Sequence, residues 1–139
     1  MRSNLAVASE SLLAIIVIGL FCGEPARASD WETEQARIQA RRALVNVDLA
    51  EKKWKQVVST RIPPQLAPTA RSAFQEVLHK SQRVLNETQA VKRYLQRIAS
   101  GDVSDETYRL LMEYRHREQM AENEVEEAAA KLEAAVKSQ

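Results

Sequence analysis

The stretch ARSAFQEVLHKSQRVLNETQAVKRYLQRI, residues Ala70 to Ile98, decides the fold of this chain. Its apolar and small residues recur at alternating steps of four and three: Ala70, Phe74, Val77, Ser81, Val84, Thr88, Val91, Leu95 and Ile98. A 4-3 repeat of this length is typical of a long helix that packs lengthwise against other helices. Ser81 and Thr88 stand in the middle of the repeat, where a purely structural bundle would carry leucine, so we expect the packing to be looser there.

Two further helices are predicted on either side of this stretch. Helix formers continue without proline or glycine from Asp30 to Arg61 and from Val103 to the C-terminus. The third helix repeats the 4-3 pattern at Thr107, Leu111, Tyr114, Glu118, Ala121, Val125, Ala128, Leu132 and Ala135. The prolines at 63, 64 and 68 predict a rigid corner between the first two helices, and the short link at 101–103 forces an antiparallel hairpin. We therefore predict an all-α, elongated antiparallel three-helix bundle, or coiled-coil hairpin, with helices at about 30–60, 68–100 and 104–137.

The first 28 residues have the pattern of a cleaved signal peptide. Arg2 supplies the positive start, LLAIIVIGLFC (Leu12 to Cys22) the apolar run, and Ala26 and Ala28 the small residues before a cleavage site. The run is shorter than the roughly 20 residues that span a bilayer core. We predict a signal peptide at 1–28, a bundle domain at 29–139, and a periplasmic or secreted protein. An uncleaved membrane anchor is the alternative.

Composition narrows the possible functions. The net charge is +1, so no overall field attracts nucleic acid or a membrane surface. The one cysteine, Cys22, lies in the predicted signal peptide, and cleavage would remove disulfides and thiolate metal sites together. No glycine-rich phosphate loop, Ser/His/Asp set or zinc-ligand spacing occurs. We predict no catalytic residues and no cofactor.

The first helix carries two apolar stripes on opposite sides. One contains Ala36, Ala40, Ala43, Val47, Ala50, Trp54 and Val57, and the other contains Trp31, Ile38, Val45 and Leu49. Opposed stripes cannot both face one neighbour. The helix is therefore packed on both sides, or the core face drifts from one stripe to the other, or the second stripe is an exposed surface that binds a partner or a second copy of the chain.

Met112, His116 and Met120 form one row along the third helix, at i, i+4 and i+8. Thioether and imidazole ligands suit soft ions such as Cu(I), so the row is a candidate metal site. Exposed methionines beside a solvated histidine, or a partner-contact patch, explain the same row. The acidic run from Glu122 to Glu127 is interpreted as a solvated face, with nothing to indicate buried carboxylates.

The segment from Leu66 to Arg71 resembles the Leu-Thr-Pro-Glu-Gln-Arg signature of the Spy-type chaperone and heavy-metal-resistance family. Leu66, Pro68 and Arg71 match it, and residues 101–105 resemble the family's Asp-containing turn. The resemblance covers about residues 66–124. It implies a small exported helical protein that acts as a chaperone or stress sensor, and it implies that His116 with Met120 is similar to one of the family's metal-ligand pairs.

An enzyme alternative comes from Arg42 and the pair Lys53-Trp54, which resemble the first-helix pattern of exported chorismate mutases. In that family, the arginine and lysine would hold the substrate's carboxylates and ether oxygen. The Asp-x-x-Arg-Glu pattern that should follow is missing. Our leading expectation is therefore a non-enzymatic exported protein that binds a protein partner or client in the cell envelope. Soft-metal binding and a chorismate mutase-like enzyme are the alternatives.

Overall fold

The computed structural model describes residues 30–138, and it contains three long helices. They are α1 (Asp30–Val58), α2 (Pro68–Ala99) and α3 (Asp105–Lys137), and no strand occurs among the described residues. The predicted all-α three-helix bundle is confirmed, with helix bounds close to those expected. The predicted signal peptide at 1–28 lies outside the described residues.

The helix ends follow from their local sequence. Pro68 occupies the first turn of α2, where its missing N–H removes no hydrogen bond of the helix. Gly101 has a φ of +104°, in the left-handed region that favours glycine, and it lets the chain turn after α2. The Ser104 hydroxyl accepts a hydrogen bond from the backbone N–H of Thr107 at 3.3 Å and caps α3. These residues set the antiparallel hairpin of α2 and α3.

The middle helix, α2, packs directly against both other helices, whereas the backbones of α1 and α3 stay farther apart. Most of the predicted α2 repeat is buried, and Phe74 and Val77 are half-buried. The α3 repeat likewise faces the core, from Thr107 to Ala128. The stretch from Ala70 to Ile98 therefore forms the central helix of the fold.

The apolar core is divided into two clusters along the bundle. One lies near the α2–α3 turn and contains Ala36, Ala40, Ala43, Val47, Val91, Leu95, Ile98 and Leu111. The other lies farther along and contains Trp54, Val84, Leu85, Ala121 and Val125. Alanines on α1 allow its backbone to approach α2 closely, and the large side chains are supplied mainly by α2.

Polar contacts fix how the helices align. The Lys92 ammonium lies 2.8 Å from Asp48 and 3.3 Å from Glu51, which joins α2 to α1. The hydrogen bond to Asp48 raises the pKa of Lys92. On the other side, Arg83 pairs with Glu124 at 2.9 Å. These contacts lie at the surface, so they specify alignment more than they add stability.

The first helix is paired with only part of α2. Its start lies at the end of α2, where the Arg37 guanidinium donates to the Ala99 carbonyl at 3.3 Å. Its end lies near Val84 and Leu85, against which Trp54, Val57 and Val58 pack. The first turns of α2, Pro68 to Lys80, therefore extend beyond α1 and pair with the end of α3. Within residues 30–138, no helix is both long and apolar enough to cross a membrane.

Candidate functional site

The surface of α1 opposite the core carries large apolar side chains. We call Trp31, Ile38, Val45 and Leu49 the outer face. Trp31 is 70% exposed, Val45 62% and Leu49 55%, whereas Ile38 is half-buried. Contiguous apolar exposure of this kind is characteristic of surfaces that bind another molecule.

The buried side of α1 is one continuous stripe. Ala36, Ala40, Ala43, Val47 and Trp54 are all buried, from one end of the helix to the other. A core face that drifted along the helix would have exposed one end of this stripe and buried the matching end of the outer face. The drift interpretation is therefore wrong, and so is packing on both sides in the single chain. The outer face stays a predicted partner-binding surface.

A second candidate is a group of polar side chains between the two apolar clusters, which we call the polar layer: Lys53, Thr88, Arg115, Glu118 and Glu122. Glu118 and Glu122 are one turn apart on α3, and both are buried. The Arg115 guanidinium donates to the Glu118 carboxylate at 2.8 Å. The Thr88 hydroxyl on α2 faces Glu118 without meeting hydrogen-bond geometry, and the hydroxyl oxygen and one Glu122 carboxylate oxygen are buried without a hydrogen-bond partner.

Burial changes the proton affinity of this layer. Loss of hydration raises the pKa of Glu118, while Arg115 and Thr88 oppose the rise. Loss of hydration also raises the pKa of Glu122 to about 7, helped by the negative charge of Glu118, and Arg115 and Lys53 oppose it. Glu87 on α2 acts on Glu118 and Glu126 on α3 acts on Glu122, both raising the pKa. The layer can therefore hold a proton near neutral pH.

The sequence interpretation missed this layer in part. The predicted α3 repeat includes Glu118, which is buried, but the sequence interpretation expects no buried carboxylate. Glu122 was assigned to a solvated acidic face, and that assignment is wrong: only 5% of the residue is exposed. It directly follows Ala121 of the core seam, so the buried side of α3 extends beyond that seam to a flanking position. A glutamate at a seam position, with a second one four residues later, was the available signal.

Met112, His116 and Met120 lie on the exposed side of α3, as expected. Met112 is 46% exposed and Met120 48%. Successive members are one turn apart, about 6 Å along the axis, so His116 could share an ion with either methionine but the outer two are about 12 Å apart. Within the described residues, no group of three or more His, Cys, Asp or Glu side chains is arranged to hold a metal ion. A thioether site remains a prediction.

Arg42 and Lys53, the pair behind the enzyme alternative, have different surroundings. Arg42 is exposed on the same side of α1 as the outer face. Lys53 is half-buried, lies 5.9 Å from the centre of the Trp54 ring, and acts on the Glu122 carboxyl across the bundle. The structure brings Lys53 to the polar layer and leaves Arg42 at the surface.

Comparison with known proteins adds no relative to this picture: no family model, no curated protein and no solved structure matches the chain. The outer face and the polar layer are therefore interpreted from their own geometry.

Proposed function

We propose that this chain is a non-enzymatic helical protein that is exported to the periplasm or secreted, and that it binds a protein partner or client through the outer face of α1. The observation that carries the proposal is the exposure of Trp31, Val45 and Leu49 opposite a continuous buried stripe. An isolated helix does not need large apolar residues on its solvent side. A helix that receives another helix or an unfolded segment does.

A Spy-like chaperone or stress sensor of the cell envelope is the most specific form of this proposal. The resemblance at Leu66, Pro68 and Arg71 supports it, together with an elongated bundle that offers a long apolar surface. Such a surface binds clients with little sequence preference, because burial of apolar area is non-directional.

The proposal is tested with a variant that removes the outer face without touching the core. Trp31→Gln, Val45→Gln and Leu49→Gln together keep helix-compatible side chains at exposed positions. We expect this variant to lose most suppression of client aggregation, measured by light scattering of a denatured client. It should also lose partners captured from envelope extract.

The matched control is Met112→Gln with Met120→Gln, which removes exposed apolar side chains from α3 instead. This variant should keep wild-type activity in both assays. An outer-face variant that suppresses aggregation and captures partners as well as the wild type would contradict the proposal.

A soft-metal site on α3 is the second candidate, favoured by the shared exposure of Met112, His116 and Met120. Cu(I) or Ag(I) would be held by thioether sulfur and imidazole nitrogen. Titration with Ag(I) should show binding that Met112→Ala with Met120→Ala abolishes. Unchanged affinity in that variant would end the metal hypothesis without affecting the outer-face proposal.

A further inference from the structure

The four apolar residues of the outer face belong to a longer repeat on the exposed side of α1. Extending the outer face by steps of four and three gives Trp31, Gln35, Ile38, Arg42, Val45, Leu49, Lys52 and Gln56. None of these residues is fully buried. A 4-3 repeat of this kind forms the contact seam of a coiled coil. Here the seam runs along nearly all of α1, and no helix of the described chain packs on it.

The charged residues that flank this seam would meet opposite charges if the same sequence ran alongside it in the opposite direction. On one flank the order is Glu34, Arg41, Asp48 and Lys55, so negative and positive charges alternate. On the other flank the order is Glu32, Gln39, Asn46 and Lys53, with opposite charges at the two ends. Residues that flank a seam select the partner and its direction.

We infer that the partner of the outer face is a second copy of this chain, with the two α1 helices packed antiparallel about a two-fold axis. The inference rests on the proposed function, because it names the occupant of the same surface. In this arrangement Glu34 of each copy faces Lys55 of the other, and Arg41 faces Asp48. On the opposite flank, Glu32 faces Lys53 and Gln39 faces Asn46.

In the same alignment, the seam residues of the two copies pair in layers that bury apolar side chains. Ile38 of one copy packs on Leu49 of the other, which gives two apolar layers related by the two-fold axis. Val45 lies beside Arg42, whose aliphatic stem can cover it while the guanidinium reaches water. Trp31 lies over Gln56 at each end. The overlap of about 26 residues is about 39 Å long.

Other alignments place like charges together. Sliding one helix by seven residues in one direction sets Arg41 against Arg41 and Glu34 against Asp48. Sliding it in the other direction sets Asp48 against Asp48 and Arg41 against Lys55. A parallel pair stacks Arg42 on Arg42 and Lys52 on Lys52 in the seam. Only one alignment matches both flanks, which is the way coiled coils specify register.

The contacts within the chain leave the side chains of Glu34, Lys55 and Asp48 accessible. Glu34 pairs with Arg37 at 3.6 Å and Lys55 with Glu51 at 3.5 Å, and the side chains of Glu34 and Lys55 are 53% and 56% exposed. Asp48 contacts Lys92 and is still 48% exposed. Each carboxylate has further lone pairs for a second cation. Polar residues at half of the seam positions make the association reversible rather than obligate.

The test is sedimentation equilibrium of the purified full chain over a wide concentration range. We expect a monomer–dimer equilibrium. Glu34→Lys turns two attractive contacts into repulsive ones and should weaken the dimer about tenfold. Adding Lys55→Glu to the same chain should restore wild-type affinity, since the pairs are reversed and re-formed. The two single variants, Glu34→Lys and Lys55→Glu, should associate with each other more tightly than either does with itself.

Glu127→Lys, the same charge change at an exposed site on α3, is the control and should leave dimerisation unchanged. Circular dichroism verifies that each variant keeps its helix content. A chain that stays monomeric at every concentration, or a dimer that Glu34→Lys does not weaken, overturns the inference. If the monomer still suppresses client aggregation through the outer face, the proposed function stands while this inference fails.

Discussion

Two buried hydroxyls on α2 differ in what they contribute, although both belong to the same repeat. The Ser81 hydroxyl donates to the Val77 carbonyl at 2.7 Å, whereas the Thr88 hydroxyl oxygen has no hydrogen-bond partner. An unsatisfied buried polar group costs stability, and an apolar group of the same shape removes that cost. We expect Thr88→Val to raise the free energy of unfolding by about 1 kcal/mol.

Urea denaturation at pH 5.5 measures this change under conditions where the neighbouring carboxyls carry less charge. Ser81→Ala is the control, and it should give no gain because it removes a hydrogen bond that is made. A Thr88→Val variant less stable than the wild type would mean that the hydroxyl supports Glu118 more than its own burial costs.

The Glu122 carboxyl makes stability depend on pH in the neutral range. Its pKa is raised to about 7 by burial and by Glu118, so the folded state holds a proton that the unfolded chain releases above its ordinary pKa. Stability should therefore fall as pH rises from about 4.5 to 7. Glu122→Gln removes this loss and should be more stable than the wild type by about 1–2 kcal/mol at pH 8, after allowing for solvent screening, with little difference at pH 4.5.

Denaturation curves at several pH values between 4.5 and 8 test this prediction. Glu127→Gln, at an exposed position of the same helix, should keep the wild-type pH dependence. Parallel pH profiles for the wild type and Glu122→Gln would show that this carboxyl is not responsible.

For single residues, the sequence predicted which side of a helix a side chain lies on better than it predicted what surrounds that side chain. The 4-3 repeat correctly placed Ser81, Thr88 and Glu118 toward the core. It could not show that Glu122 beside the repeat is buried as well, because that depends on how helices distant in sequence lie around α3. Periodicity identifies which side of a helix is buried, but it does not show how many neighbouring positions are buried with it.

At the scale of a single element, the turn after α2 depends on Gly101. Its φ of +104° is unfavourable for any residue with a Cβ, although a Cβ would meet only the Arg37 side chain at 3.9 Å. The cost of Gly101→Ala is therefore conformational rather than steric. We expect a loss of about 1–2 kcal/mol in the free energy of unfolding, with the helix content unchanged.

Thermal denaturation followed by circular dichroism measures that loss. Ser100→Ala is the matched control, because Ser100 has a φ of −87° that any residue adopts. It removes only an exposed hydroxyl hydrogen bond to the Gln96 carbonyl and should change stability by less than about 0.5 kcal/mol. Equal effects of the two substitutions would remove the special role of the glycine.

Element boundaries were predictable because each has a local chemical cause. Pro68 begins α2, Ser104 caps α3 and Gly101 ends the preceding helix, and all of these are read from single residues. The role of the second α1 stripe was not predictable. Opposed stripes have three explanations that differ only in tertiary packing, and the exposure of Trp31, Val45 and Leu49 was needed to exclude two of them.

At the scale of the whole molecule, the bundle has two unequal ends. Near the α2–α3 turn, three helices pack together, while the first turns of α2 are paired with α3 alone. Local opening is easier where fewer apolar contacts must be broken. We expect amide hydrogens at 70–80 and 128–137 to exchange faster than those at 84–98.

Hydrogen exchange with mass spectrometry resolves these segments. Helix ends fray in any case, so the comparison should use amides at least one turn inside each helix. Uniform protection along α2 would mean that α1 or the connection at 59–67 also shields the first turns of α2 from solvent.

The buried carboxyl of Glu122 also makes unfolding release a proton. Near pH 6 the folded chain carries a proton on Glu122 that the unfolded chain gives up to the buffer. The calorimetric enthalpy of unfolding should therefore depend on the buffer's own heat of ionisation, and phosphate and imidazole buffers at one pH should give different values. The folded state would thereby gain stability when the surrounding pH falls from about 7 toward 4.5, and it would lose that stability when the pH rises again.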